Sequence, residues 1–201
     1  MTQPKMVCWI SLSGGGKDTQ ANLLRAALEA RYGEGSVLWI SLGDLFRAMA
    51  EKKKKTYAER LIKEKVLDVG DFAPSFVAIW KWANEIMQNL KAGQHVIFPS
   101  SPRTLSEARD LDDLANFFNL QACPIYLEVD RERAFQRLMD RGRADDMPET
   151  IRNRFAAFDK NVLPALEYYR TQSKSRLITI DANPTDQQKI HRDILKALDL
   201  V

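Results

Sequence analysis

The run Ser11-Leu12-Ser13-Gly14-Gly15-Gly16-Lys17-Asp18-Thr19-Gln20 constrains the fold more than any other feature. It stands between an apolar, strand-like segment over 6–12 and an amphipathic helical pattern over 17–32. Three glycines in a row let successive backbone N–H groups turn onto one anion. The helix that follows adds its positive dipole end, and Lys17 adds a full charge. A polyphosphate suits that cradle. A flexible turn with an exposed lysine is the competing reading, and the strand before and helix after argue against it.

The apolar runs 6–12, 37–40, 95–98, 124–129 and 177–180 read as five buried strands, and amphipathic patterns over 17–32, 73–90, 105–118, 131–141, 147–170 and 185–198 fill the gaps as helices. Such alternation predicts an α/β fold with a parallel sheet covered on both faces. Gly33 and Gly93 mark helix ends. Pro164 must kink or divide the pattern over 147–170, because it removes a donor and crowds the preceding turn. Two stretches are not simple crossovers. Residues 41–72 have room for two short helices and form a small lobe, and 141–147 make a short charged loop between helices. The expected organisation is one domain with its core in 1–40, 73–140 and 148–201, carrying the lobe 41–72 and the loop 141–147.

With 30 Lys and Arg against 27 Asp and Glu, the 201-residue chain has a formal charge of only +3. The run from Lys52 to Lys55 reads as a solvated helix face without interleaved aromatic residues, so no nucleic-acid partner is expected. The run 6–12 is too short to span a membrane and lacks the flanks of a leader, so no membrane partner is expected either. Cys8 and Cys123 lie in separate strand-like segments with no Cys or His at ligand spacing. The expectation is reduced core thiols in a cytoplasmic protein, without zinc or disulfides.

Arginine is concentrated late in the chain. Arg133, Arg137 and Arg141 are four apart and share a helix face, and seven of sixteen arginines fall between positions 131 and 154. Guanidinium forks bind phosphoryl oxygens bidentately, so such a set opposite an anion-binding turn suits phosphoryl transfer. A helix surface salt-bridged through Glu132, Asp140 and Glu149 accounts for Arg131 and Arg133. Asp146-Met147-Pro148-Glu149 also reads as a helix start capped by Asp146, and Thr104-x-x-Glu107 as a capping box.

Four ordered motifs stand out: Gly16-Lys17-x-Thr19-Gln20, Ile40-Ser41-Leu42-Gly43-Asp44-Leu45-Phe46-Arg47, Ser101-Pro102-Arg103-Thr104 and Arg141-Gly142-Arg143-Ala144-Asp145-Asp146. In these the chain resembles the nucleoside monophosphate kinases of the adenylate kinase family, of the kind with a short, zinc-free lid. The resemblance implies a three-layer P-loop fold: a five-stranded parallel sheet, an inserted helical lobe for the nucleoside monophosphate, and a short lid. It implies a monomeric enzyme that moves the γ-phosphoryl group of ATP reversibly to a nucleoside monophosphate, AMP first among them, with Mg²⁺ bound alongside ATP. Gly14, Gly15, Gly16, Lys17, Asp18, Thr19 and Arg137 would then bind ATP, and Leu42, Arg47, Val69, Arg103 and Glu107 the acceptor. Lys17, Arg103, Arg141, Arg143 and Arg154 would carry catalysis, while Asp145 and Asp146 would orient the lid arginines.

The chain departs from that family at several positions. Ser11 replaces the first glycine of G-x-x-x-x-G-K-[ST], and Asp18 stands where a hydroxyl follows the lysine. Pro99-Ser100-Ser101-Pro102-Arg103 replaces Asp-Gly-Phe-Pro-Arg, so Pro99 takes the place of the aspartate that holds water around Mg²⁺, and Asp18 or Asp44, through water, is the candidate substitute. Leu42 and Glu107 stand where adenine-accepting members carry threonine and glutamine. The leading reading is a kinase. The alternative is a nucleotide-binding pseudoenzyme, or a strongly impaired kinase, limited by Pro99. A small-molecule kinase of the shikimate or gluconate type is a third reading, against which Gly43-Asp44-x-x-x-Arg47 argues.

Overall fold

The computed structural model describes residues 3–69, 72–143 and 146–200. Strand β1 (Lys5–Ile10) is buried along its whole length because it is central in a parallel five-stranded sheet of order β2-β3-β1-β4-β5. Its neighbours are β3 (His95–Phe98) and β4 (Gln121–Glu128), and β2 (Val37–Trp39) and β5 (Ile178–Asp181) form the edges. All five strands point the same way, so the loops after them gather at one edge, where sheets of this kind bind ligands.

Alternation along β1 sends Met6 and Cys8 to one face and Val7 and Trp9 to the other. On the first face, Phe46 and Met49 of α2 (Leu42–Glu51), Trp82 and Ile86 of α4 (Ser75–Asn89) and Leu111 of α5 (Leu105–Phe117) close one core. Trp82 meets Phe98 edge to face at 5.9 Å, and truncating a buried ring of this size costs about 3–5 kcal/mol. On the second face, Leu24 and Leu28 of α1 (Lys17–Tyr32), Ala134 and Leu138 of α6 (Arg131–Arg141), Phe155 of α7 (Pro148–Ala157) and Ile194 of α9 (Gln187–Ala197) close the other core. Helices on both faces of a parallel sheet make the three layers.

The connection between β2 and α4 carries α2, α3 (Tyr57–Ile62) and a π-helical turn over Lys63–Leu67. The lysines 52–55 are not on a helix face. α2 stops at Glu51, and the capping box of Thr56 with Glu59 starts α3, so the run forms the exposed link between them. The pattern over 147–170 is divided rather than merely kinked. A π-helical turn over Phe158–Val162 separates α7 from α8 (Leu163–Thr171), and the wider turn accommodates the donor that Pro164 removes. β1 ends two residues earlier than its apolar run. The Ser11 hydroxyl donates to the Leu127 carbonyl and the Gly15 amide to Leu12, which bends the chain out of the strand. Cys8 and Cys123 are buried free thiols, and among the described residues no helix is long and apolar enough to cross a membrane.

Candidate active site

The glycine turn owes its shape to two close approaches. Gly14 and Gly16 have φ of 85° and 86°, in the left-handed region, and a Cβ on Gly14 would lie 2.5 Å from the Ala134 carbonyl of α6. At Gly15 a Cβ would meet the Ser11 hydroxyl at 1.9 Å, so the serine at the turn's first position itself requires a glycine here. Lys17 curls back and its Nζ donates to the carbonyls of Ser11 (2.9 Å) and Leu12 (3.1 Å). Burial is the main influence on this ammonium. With Arg103 adding and Asp18 opposing, its pKa is lowered to about 8.

This turn floors a cleft of about 650 Å³ that gathers Gly14, Gly15, Gly16, Lys17, Asp18, Thr19, Arg103, Arg137, Arg141, Arg143 and Arg154. Asp146 organises the arginine wall. Its fully buried carboxylate accepts from Arg141 Nε and Nη2 at 2.8 and 2.7 Å, from Arg154 Nη1 at 2.9 Å and from the Arg143 amide at 3.3 Å. These bonds, the Arg141 side chain's first, hold the carboxyl well below the usual range. Asp146 therefore does not cap the following helix: the position before α7 is Met147, and the carboxylate is spent on the arginines. Asp145 lies outside the described residues. Arg137 Nη2 donates to the carbonyls of Asn183 (3.1 Å) and Pro184 (3.0 Å), which ties α6 to the loop after β5. Arg131 and Arg133 do not use the acids expected for them: Arg131 pairs with Asp159, and Arg133 donates to the Asn183 carbonyl.

A second cavity of about 260 Å³ is walled by Leu42, Phe46, Arg47, Val66, Leu67, Ala78, Arg103 and Glu107. A third, of about 100 Å³, lies among Ser13, Lys17, Phe72, Ser100, Arg103 and Arg154. Arg103 lines all three; its Nε donates to the Ser100 carbonyl at 3.0 Å and its guanidinium stacks on Phe72 at 4.9 Å. Burial lowers its pKa. Arg47 pairs with Asp44, and hydrogen bonds from Ser41 and then Arg47 lower the pKa of the Asp44 carboxyl. Thr104 caps α5 by accepting from the Glu107 amide, while the Glu107 side chain faces the second cavity, so capping and lining hold together. Val69 is 69% exposed and is not brought into that cavity.

Of the two aspartates considered for a metal, Asp18 is the carboxylate lining the phosphate cleft, whereas Asp44 is committed to Arg47 outside it. Among the described residues no three His, Cys, Asp or Glu side chains stand together as a metal cluster. Hard oxygens at the cleft, from Asp18 and Thr19, fit a magnesium ion that arrives with phosphate ligands of its own. Pro99, buried at the end of β3, offers it nothing. Sequence reasoning missed Ser13, Ser100, Thr185 and Gln187 in the cleft wall. The last two follow β5, and the shared edge of a parallel sheet was the signal that placed them there.

A glycine turn between a central parallel strand and a helix, facing a wall of arginines, defines a P-loop phosphotransferase. The family model for adenylate kinase matches residues 10–174. The chain is 34% identical to the adenylate kinase of Flavobacterium psychrophilum, over 80% of this chain and 82% of that one. It is 31% identical to that of Leuconostoc mesenteroides over 97% of both, and 30% identical to the uridylate kinase of Saccharomyces cerevisiae over 91% and 86%. The fold is similar to Chaetomium thermophilum Kti12 in complex with ADP-AlF3 (TM-score 0.62, 17% identity, 98% of both chains) and to a gluconokinase from Sinorhizobium meliloti (0.59, 18%, 99% and 94%). This chain belongs to the adenylate kinase family.

Proposed function

We propose that the protein transfers the γ-phosphoryl group of ATP directly and reversibly to a nucleoside monophosphate, with AMP as the acceptor. The observation that carries this reading is Arg103, a single guanidinium shared by the phosphate cleft and the apolar cavity beside it. In-line transfer needs two phosphates held end to end, and a fork between two binding pockets can touch both. The glycine turn and Lys17 hold the ATP phosphates, and Arg137 borders the donor nucleotide. Arg141, Arg143 and Arg154 surround the charge that spreads over the moving group, and Arg47 with Arg103 grips the acceptor phosphate. Asp146 keeps Arg141 and Arg154 aligned before substrate arrives, so little reorganisation is left for the transition state. Asp18 and Thr19 would hold magnesium bound with ATP, which would supply charge neutralisation on the phosphate oxygens. The acceptor cavity is apolar apart from Arg47, Arg103 and Glu107, which suits a planar base.

One observation favours the second reading, a nucleotide-binding pseudoenzyme or slow kinase: Pro99 removes the carboxylate at the end of β3. A coupled assay with ATP and each of AMP, GMP, CMP and UMP, with and without Mg²⁺, separates the two. Magnesium-dependent ADP formation with a monophosphate supports the kinase. Tight nucleotide binding without turnover supports the alternative.

A further inference from the structure

Helix α4 is apolar on two opposite sides. Ala78, Trp82 and Ile86 face the core, while Phe76, Trp80 and Met87 on the other side are 74%, 53% and 69% exposed. A surface helix ordinarily carries charge on its outer face, and one that is apolar all round is ordinarily covered. The only charged side chains in α4 are Lys81 and Glu85, which lie off the exposed stripe and pair with each other. Along the stripe, Phe76, Trp80, Ala83 and Met87 follow at intervals of four, three and four residues. That is the spacing of a seam between two helices, narrower than the face a helix lays on a sheet, and it runs about 16 Å along α4.

The order of side-chain sizes selects the occupant. When a second α4 lies antiparallel about a two-fold axis midway between Trp80 and Ala83, each Trp80 meets Ala83 of the second copy and each Phe76 meets its Met87. Every layer then joins an aromatic ring to an alanine or a thioether, which fills the seam evenly and sets sulfur beside a ring. A parallel pair would crowd Trp80 on Trp80 and leave a gap between two alanines. No like charges meet across the axis, because Asn84 and Gln88 beside the seam are neutral and Lys81 and Glu85 are committed to each other. We infer that the outer face of α4 is a self-association surface on which a second copy of this chain docks, α4 antiparallel to α4. The three large side chains leave about 400 Å² uncovered in each copy, the size of a functional apolar patch. With its rims the pair buries about 1,000 Å² in total, at the small end of specific interfaces, so it forms at about 10–100 µM rather than permanently. Ala78 on the opposite side of α4 lines the cavity beside the phosphate cleft, so the seam faces away from that cavity. Such a pair departs from the monomer that the family resemblance implies, and it does not depend on the reaction assigned to the cleft.

The test is sedimentation equilibrium of the full chain from about 1 to about 300 µM, for the parent, Phe76→Lys, Met87→Glu and an equal mixture of the two variants. Both positions are exposed, so the variants keep the fold, which thermal unfolding checks. The parent should pass from a 23.0 kDa species to one of twice that mass as concentration rises. Each variant alone sets a charge against an apolar side chain at both ends of the seam and should weaken association by about tenfold or more. In the mixed pair the introduced lysine faces the introduced glutamate at one end while Phe76 meets Met87 at the other, so association should return to near the parent's. A parallel pairing or an unspecific apolar contact gives no such rescue. A parent that stays at 23.0 kDa throughout overturns the inference and leaves the seam to a different protein. Single variants that associate as the parent does, or a mixture as weak as its components, overturn it too.

Discussion

In the cleft above the glycine turn, Lys17, Arg137, Arg141 and Arg154 all donate to protein oxygens; in the cavity beside it, Arg47, Arg103 and the buried Glu107 stand in a wall that is otherwise apolar. The cleft is a set of cations fixed by backbone carbonyls and one buried aspartate. The cavity is walled by apolar side chains together with Arg47, Arg103 and Glu107. On the proposed reading, preorganised charge speeds the chemistry of whatever acceptor is present, and the shape and polar groups of the cavity decide which acceptor that is. Substitutions in the cleft should therefore change rate without changing acceptor preference, and substitutions in the cavity wall should change that preference.

The largest effect expected from breaking the cleft is at Lys17. Lys17→Met should lower transfer by about a thousandfold with every acceptor, and Arg141→Ala by about a hundredfold, since both meet charge that grows in the transition state. Thermal unfolding of Lys17→Met should show stability kept or raised at neutral pH, because an ammonium whose pKa the fold lowers to about 8 is a cost to folding. An acceptor-dependent rate loss in either variant would dissolve the division between the two regions.

A smaller change sharpens the cleft side. Pro99→Asp should raise turnover several-fold and lower the Mg²⁺ concentration for half-maximal rate, because a carboxylate at the end of β3 can hold metal-bound water. Rate against Mg²⁺ for the parent, Pro99→Asp, Asp18→Gly and the double variant is the measurement. If Asp18 already holds the metal, the added carboxylate brings repulsion and no gain.

The smallest effect is on stability. The depressed pKa of Asp146 means that its ion pairs stabilise the fold above the ordinary carboxylate range, near pH 4, and are lost as pH falls through the folded value. Asp146→Asn should accordingly flatten the acid limb of a stability-against-pH curve and slow transfer through misaligned Arg141 and Arg154. An unchanged acid limb would show that the carboxylate serves orientation without contributing to stability.

The same division governs what could be read from the sequence. The start and end of α1 and α6 follow from local chemistry, Gly16 and Gly33 around α1, Asp130 before and Gly142 after α6, with apolar spacing within, and both stand where the pattern put them. That the glycine turn and the arginines 137, 141, 143 and 154 line one cleft was legible because short motifs encode both the turn and the charge. Asp146 was harder: four residues from Asp146 to Glu149 make a good cap on paper, and only the fold brings Arg141 and Arg154 onto the carboxylate instead. The walls of the cavity beside the cleft come from α2, the turn over Lys63–Leu67, α4 with the segment before it, and α5 with the segment before it, so no single stretch of chain displays them. The lysines 52–55 were misplaced because helix propensity is uniform across that run, while the box at Thr56 and Glu59 sets the boundary.

The most direct test of the account is a ³¹P NMR time course with ATP, AMP, Mg²⁺ and the protein. The account predicts that ATP and AMP are consumed at equal rates and that ADP is the product of both, with no free phosphate. Release of free phosphate while AMP stays unchanged, or both nucleotides bound and unreacted, would contradict it.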